Sequence, residues 1–127
     1  MGSVEVADLV VVELGTNDAG QGVPPAVFQS QYVALLAMVL QQSPMATLVG
    51  LACWRDPNYV TPSGSPVSLY NAIIKDAVLN KSGFRAKQYV DLGLMYLDPQ
   101  YHNWSGDTFH PNDAGHQAIA NAILSVV

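Results

Sequence analysis

Two short segments near opposite ends of the chain hold residues suited to acyl-transfer chemistry: Asp107 and His110 in "GDTFHPNDAG", and Asn17 in "VVVELGTNDAG". A carboxylate three residues before an imidazole, in a loop, can turn back and accept a hydrogen bond from Nδ1. Nε2 then serves as a base, while the carboxylate fixes the tautomer and stabilises the imidazolium once a proton has been taken. Pro111 restrains His110 to an extended backbone and hands the chain to Asn112 or Asp113 as a helix cap. A plain turn and capping sequence accounts for the same residues equally well. Asn17 carries an amide NH₂ that can donate to an oxyanion as a tetrahedral intermediate forms. Gly15, without a Cβ, lets a substrate or another backbone approach closely. Asn17 and Asp18 are also common turn formers at the end of a strand.

These residues need a scaffold that brings them together, and the hydrophobic pattern supplies one. "DLVVVEL" (Asp8 to Leu14) is a near-continuous β-branched run, the pattern of a strand covered on both faces. After the loop "DAGQGVPP", Phe28, Tyr32, Leu35, Leu36 and Val39 recur at helical spacing, with Pro24 and Pro25 at the helix start. "ATLVGLAC" (Ala46 to Cys53) is a second buried strand. Tyr70, Ile73, Ile74 and Ala77 mark a second helix that ends near Ser82 and Gly83. "KQYVDL" is a third, shorter strand. A long loop then runs to Pro111, and Ile119, Ala122, Ile123 and Val126 give the last helix.

Alternation of strand and helix predicts an α/β domain with a parallel sheet over residues 1–127 as a single unit, because parallel neighbours require a crossover and a helix is the usual one. Ligands gather beyond the carboxyl ends of such strands. The loops that start at Gly15, Trp54 and Gly93 therefore share one face, and Asn17 and "DTFH" should both lie on it.

Composition narrows the function. Half of the 127 residues are apolar, enough for a core without metal or disulfide. Ten acidic and five basic residues give a net charge of −5, and the basic residues form no run, so no nucleic-acid partner is expected. The longest apolar stretch, Val33 to Leu40, is far short of the roughly 20 residues of a membrane span. Met1, Gly2 and Ser3 lead into Val4 and Glu5 without an apolar h-region, so no signal peptide is expected, and the compartment stays open.

Cys53, the single cysteine, sits in an apolar run and reads as a buried thiol. No pair of histidines has convincing ligand spacing, so neither metal nor other cofactor is expected; His102 and His116 read as loop and helix residues. Ser63, Ser65 and Ser105 are loop serines with no activating pattern around them. Trp54, Tyr59, Tyr101 and Trp104 are open to two readings, the lining of a substrate cleft or ordinary packing.

At these motifs the chain resembles the SGNH hydrolases, also called GDSL esterases and lipases. "GTND" (Gly15 to Asp18) resembles the block that supplies the oxyanion-hole asparagine, and "DTFHP" (Asp107 to Pro111) the block that supplies the catalytic aspartate and histidine. The resemblance covers nearly the whole chain. It implies a three-layer αβα fold with a flavodoxin-like parallel sheet, hydrolysis of small-molecule acyl esters, His110 as base, Asp107 as its orienter, and Asn17 in the oxyanion hole. One feature departs: the family's nucleophilic serine comes from a "GDS" motif upstream of the asparagine block, and this sequence has no Asp followed by Ser and no GxSxG elbow. The fourteen residues before Gly15 are too few for a strand, helix and strand, which need roughly 30. The expectation is a sheet lacking its N-terminal strands, with "DLVVVEL" as an apolar edge open to self-association. A non-catalytic interaction module of the same fold is the alternative reading.

Overall fold

A run of one leucine and three valines forms strand β1 (Leu9–Val12) in a computed structural model that describes residues 6–102 and 109–127. The chain continues through α1 (Thr16–Gln21), α2 (Pro25–Gln42), β2 (Thr47–Leu51) and α3 (Val67–Asp76), the last prolonged by a π-helical turn over Ala77–Lys81. β3 (Ala86–Val90), α4 (Gly93–Tyr96), a 3₁₀ turn (Pro99–Tyr101) and α5 (Asp113–Leu124) complete it.

The three strands lie side by side in the order β1-β2-β3, all parallel, with Val11 beside Val49 and Val49 beside Gln88. Each crossover carries a helix, as parallel pairing requires. Side chains alternate across the sheet. Val10, Val12 and Leu48 face α2 and α3, where Phe28, Tyr32, Leu36, Tyr70 and Ile74 pack against them. Val49 and Leu51 face the other way and meet Ile119 of α5 with Trp54 and Leu92. The result is an αβα sandwich. Burial of a large side chain such as Leu36, Leu48, Leu51 or Ile74, all fully enclosed, contributes about 1.5–3 kcal/mol each.

Local chemistry sets the helix limits. α2 starts with Pro25 in its first turn, where the missing N–H is not needed, and buries Phe28, Tyr32 and Leu36 at a spacing of four. α3 buries Val67, Tyr70, Asn71 and Ile74. Its extension closes where the Ser82 hydroxyl donates to the Val78 carbonyl, just before Gly83 at a φ of 75°. No helix among the described residues is long and apolar enough to cross a membrane.

Three expectations are corrected. β1 is shorter than Asp8 to Leu14 and is not covered on both faces, since Leu9 and Val11 are 42% and 40% exposed. They share the face of Val49, but the cluster around Ile119 gathers on β2 and the segments after it and does not reach β1. Among the described residues β1 pairs with β2 alone, which makes it an edge. "TNDAGQ" is not loop but the short helix α1, set by Ala19 N–H donating to the Gly15 carbonyl and by the burial of Ala19. The region after β3 holds α4 and a 3₁₀ turn whose start is capped by the Asp98 carboxylate accepting from Gln100 N–H.

Candidate active site

A cleft of about 440 Å³ opens at the carboxyl end of β1 and β2. Gly15, Asn17, Trp54, Phe109, His110 and His116 are among its lining residues, with Glu13, Thr16 and Asp18 on the β1 side. Asn17 and His110, 93 positions apart in sequence, thus border one space.

Gly15 is the hinge between β1 and α1, and its φ of 118° lies in the region that L side chains avoid. The room left by its absent side chain is filled from the core: a Cβ there would stand 3.0 Å from Phe28 and 3.3 Å from both Cys53 and Ile74. Gly15 therefore seats the turn tightly on the core while also lining the cleft. Thr16 follows, and its hydroxyl oxygen accepts from the Trp54 backbone N–H at 2.9 Å. The buried Asn71 side-chain Oδ1 accepts from Cys53 N–H at 2.9 Å. The end of β2 is therefore fixed to both α1 and α3, and Asn17 stands on the first turn of that mount.

The His110 segment is held as firmly. Its neighbour Phe109 presents a carbonyl that accepts from the Trp54 indole N–H at 2.9 Å. Pro111 forms an isolated bridge with His102. Asn112 does three things at once: its side-chain oxygen caps α5 by accepting from Gly115 N–H at 2.8 Å, its NH₂ donates to the Gln100 carbonyl at 2.8 Å, and its backbone N–H donates to the Tyr101 carbonyl at 2.8 Å. Gly115 makes this junction possible, because a Cβ there would stand 2.7 Å from both the Tyr101 oxygen and Pro111. The His110 ring packs edge-on to that of Phe109, centroids 5.2 Å apart.

Asp107 lies outside the described residues, as do Trp104 and Ser105. Ser63 does not line the cleft; its hydroxyl bonds to Thr61 and to Tyr70. His102 is a packing residue, with its ring against Trp54 and Tyr96 and Nε2 bonded to the Tyr96 carbonyl. Cys53 is 1% exposed, and burial pushes its thiol up to about 12, although a hydrogen bond with Thr16 acts in the opposite direction. Such a thiol is a poor nucleophile. Among the described residues no group of three or more His, Cys, Asp or Glu is placed to hold a metal ion.

His116, read from the sequence as a helix residue without a chemical role, lines the cleft. Its position in the first turn of α5, the helix that Asn112 caps directly after His110 and Pro111, is the signal that places it there. Thr16 and Phe109 also escape a reading by chemistry, since they act through a hydroxyl acceptor and a main-chain carbonyl.

Solved structures of known proteins share this architecture. A family two carbohydrate esterase from Clostridium thermocellum, in an active-site mutant form, superposes with a TM-score of 0.72 at 24% identity, over 95% of this chain and 35% of its own. The salicylyl-acyltransferase SsfX3 from a tetracycline biosynthetic pathway gives 0.71 at 19% identity, over 94% of this chain and 37% of its own. A further crystal structure gives 0.72 at 18% identity, over 94% and 64%. The chain thus spans from about a third to under two thirds of the length of these structures, and at such identities the likeness is one of fold. No curated protein matches it in sequence. The profile of the GDSL-like lipase/acylhydrolase family matches residues 3–118, which include "GTND" and "DTFHP". With the SGNH-like fold of its structural neighbours and this match over most of its length, the chain belongs to the GDSL-like lipase/acylhydrolase family.

Proposed function

We propose that the cleft hydrolyses small acyl esters, with His110 as general base and then acid, Asp107 as the carboxylate that orients it, Asn17 as an oxyanion donor, and Gly15 beside the substrate. The observation that carries this reading is the shared cleft: an amide and an imidazole from distant segments border one space at the carboxyl edge of the sheet. As the hydroxyl of a nucleophilic serine attacks the acyl carbon, a serine that the family takes from a "GDS" block not found in this sequence, His110 takes its proton and the carbonyl oxygen gains charge that the Asn17 NH₂ can stabilise. The imidazolium then returns the proton to the leaving alcohol; in a second round His110 takes a proton from water as the water attacks the acyl group, and gives it to the hydroxyl that departs. Short acyl esters, acetylated sugars and lysolipids all suit this chemistry.

A second reading has its own observation. Among the described residues that line the cleft, the single hydroxyl side chain is Thr16, and its oxygen already accepts from the Trp54 N–H. A domain of this fold that binds without forming an acyl-enzyme fits that fact. The two readings separate on p-nitrophenyl acetate. A rate well above that of free imidazole at equal concentration, abolished in His110→Ala, supports the hydrolase; a rate equal to free imidazole supports the binding module.

A further inference from the structure

We propose that Arg55 selects esters that carry a carboxylate, a specificity that rests on the hydrolase reading above. Arg55 directly follows Trp54, so its backbone leaves the end of β2 that Thr16 and Asn71 hold in place. Its guanidinium carbon lies 4.0 Å from the Tyr59 ring centroid and 5.0 Å from that of Phe109. Both distances are within cation–π range, and two aromatic partners fix the guanidinium far better than a free side chain would be fixed. A guanidinium held over aromatic rings keeps N–H donors for a planar, two-oxygen acceptor, which is the geometry of a carboxylate.

Among the described residues no such acceptor is set against Arg55. The chain has ten acidic residues, yet among the described residues none pairs with Arg55; the ion pair seen there joins Lys81 to Asp76. Arg55 is half-buried, so an external anion can reach it. It also adjoins the cleft: its neighbour Trp54 and its ring partner Phe109 both line it, and the Phe109 ring touches that of His110. An anion bound at Arg55 is therefore one aromatic ring away from the imidazole. Glu13 and Asp18 line the β1 side of the cleft with Asn17 and repel a carboxylate there. The charges thus give an acidic ester one orientation, its carboxylate toward Arg55 and its acyl carbonyl toward Asn17 and His110.

The test uses two matched amide probes, 4-acetamidobenzoate and its neutral counterpart 4-acetamidobenzamide, titrated calorimetrically into the whole chain. The proposal expects the carboxylate to bind about tenfold more tightly. The preference should vanish in Arg55→Gln and shrink in Arg55→Lys, which keeps the charge but loses the planar fork. Melting curves establish that each variant is folded, and the lysine variant decides if the glutamine variant is not. Equal affinities in the unaltered protein, no saturable binding of the carboxylate probe, or an undiminished preference in the folded variants would overturn it. Because the probes are amides, the comparison does not depend on turnover: lack of esterase activity counts against the hydrolase reading, whereas equal probe binding removes the selectivity alone.

Discussion

Trp54 donates its indole N–H to the Phe109 carbonyl at 2.9 Å while its backbone N–H donates to Thr16. One residue at the end of β2 therefore joins the segment of Asn17 to the segment of His110. Trp54→Phe keeps most of the apolar volume but removes the indole donor. The expected outcome is a loss of about 1–3 kcal/mol in urea unfolding, accompanied by a fall in esterase rate larger than that of a distant core substitution of equal cost. An unchanged rate at reduced stability would show that the link is structural only.

Asn112 is the corresponding clamp on the other motif. Asn112→Ala removes the α5 cap and the two side-chain N–H bonds to the carbonyls of Gln100 and His102. Equilibrium denaturation should register a loss of about 2 kcal/mol. Asn112→Asp, which keeps the capping oxygen and loses the NH₂ donor, should fall between the two.

Tyr32 carries the opposite sign. Its hydroxyl is buried with no hydrogen-bond partner among the described residues, and burial pushes its ionisation well above the usual tyrosine range. Tyr32→Phe removes an unsatisfied polar atom and keeps the ring that packs on Phe28. Stability should rise by about 1 kcal/mol; a decrease would mean that the hydroxyl is satisfied in solution.

Cys53 gives a pH dependence with a definite direction. Its thiol is raised from 9.0 to about 12 in the fold, so the folded chain holds its proton more tightly than the unfolded chain does. The associated stability is complete below the unfolded value and is lost as pH rises through the folded one, a window from about 9 to 12. Unfolding midpoints across that window should fall less steeply for Cys53→Ala than for the unaltered chain. At pH 8 the native thiol should resist alkylation that the denatured chain accepts readily.

Much of this fold is legible in the sequence because its signals are local. The valine run of β1, the four-residue spacing of Phe28, Tyr32 and Leu36, and Gly83 after the second helix each follow from side-chain period or backbone preference. What escaped depends on distant partners. The exposure of Leu9 and Val11 is set by where α5 packs, not by their own type. α1 forms from turn-favouring residues because Thr16 and Ala19 are held by β2 and the core. Asn17 and His110 stand out as chemical types at strand and helix ends, whereas His116 and Arg55 gain their interest only from what the fold sets beside them.

A double-mutant cycle on p-nitrophenyl acetate with Asn17→Ala, His110→Ala and the pair bears most directly on whether the two segments act on one reacting carbonyl. If they do, each single change lowers the rate, Asn17→Ala by about 10²–10³, and the pair falls below either single variant but by less than the product of the two losses. Single variants that match the unaltered chain, or losses that multiply in full, would mean that the amide and the imidazole serve no common transition state.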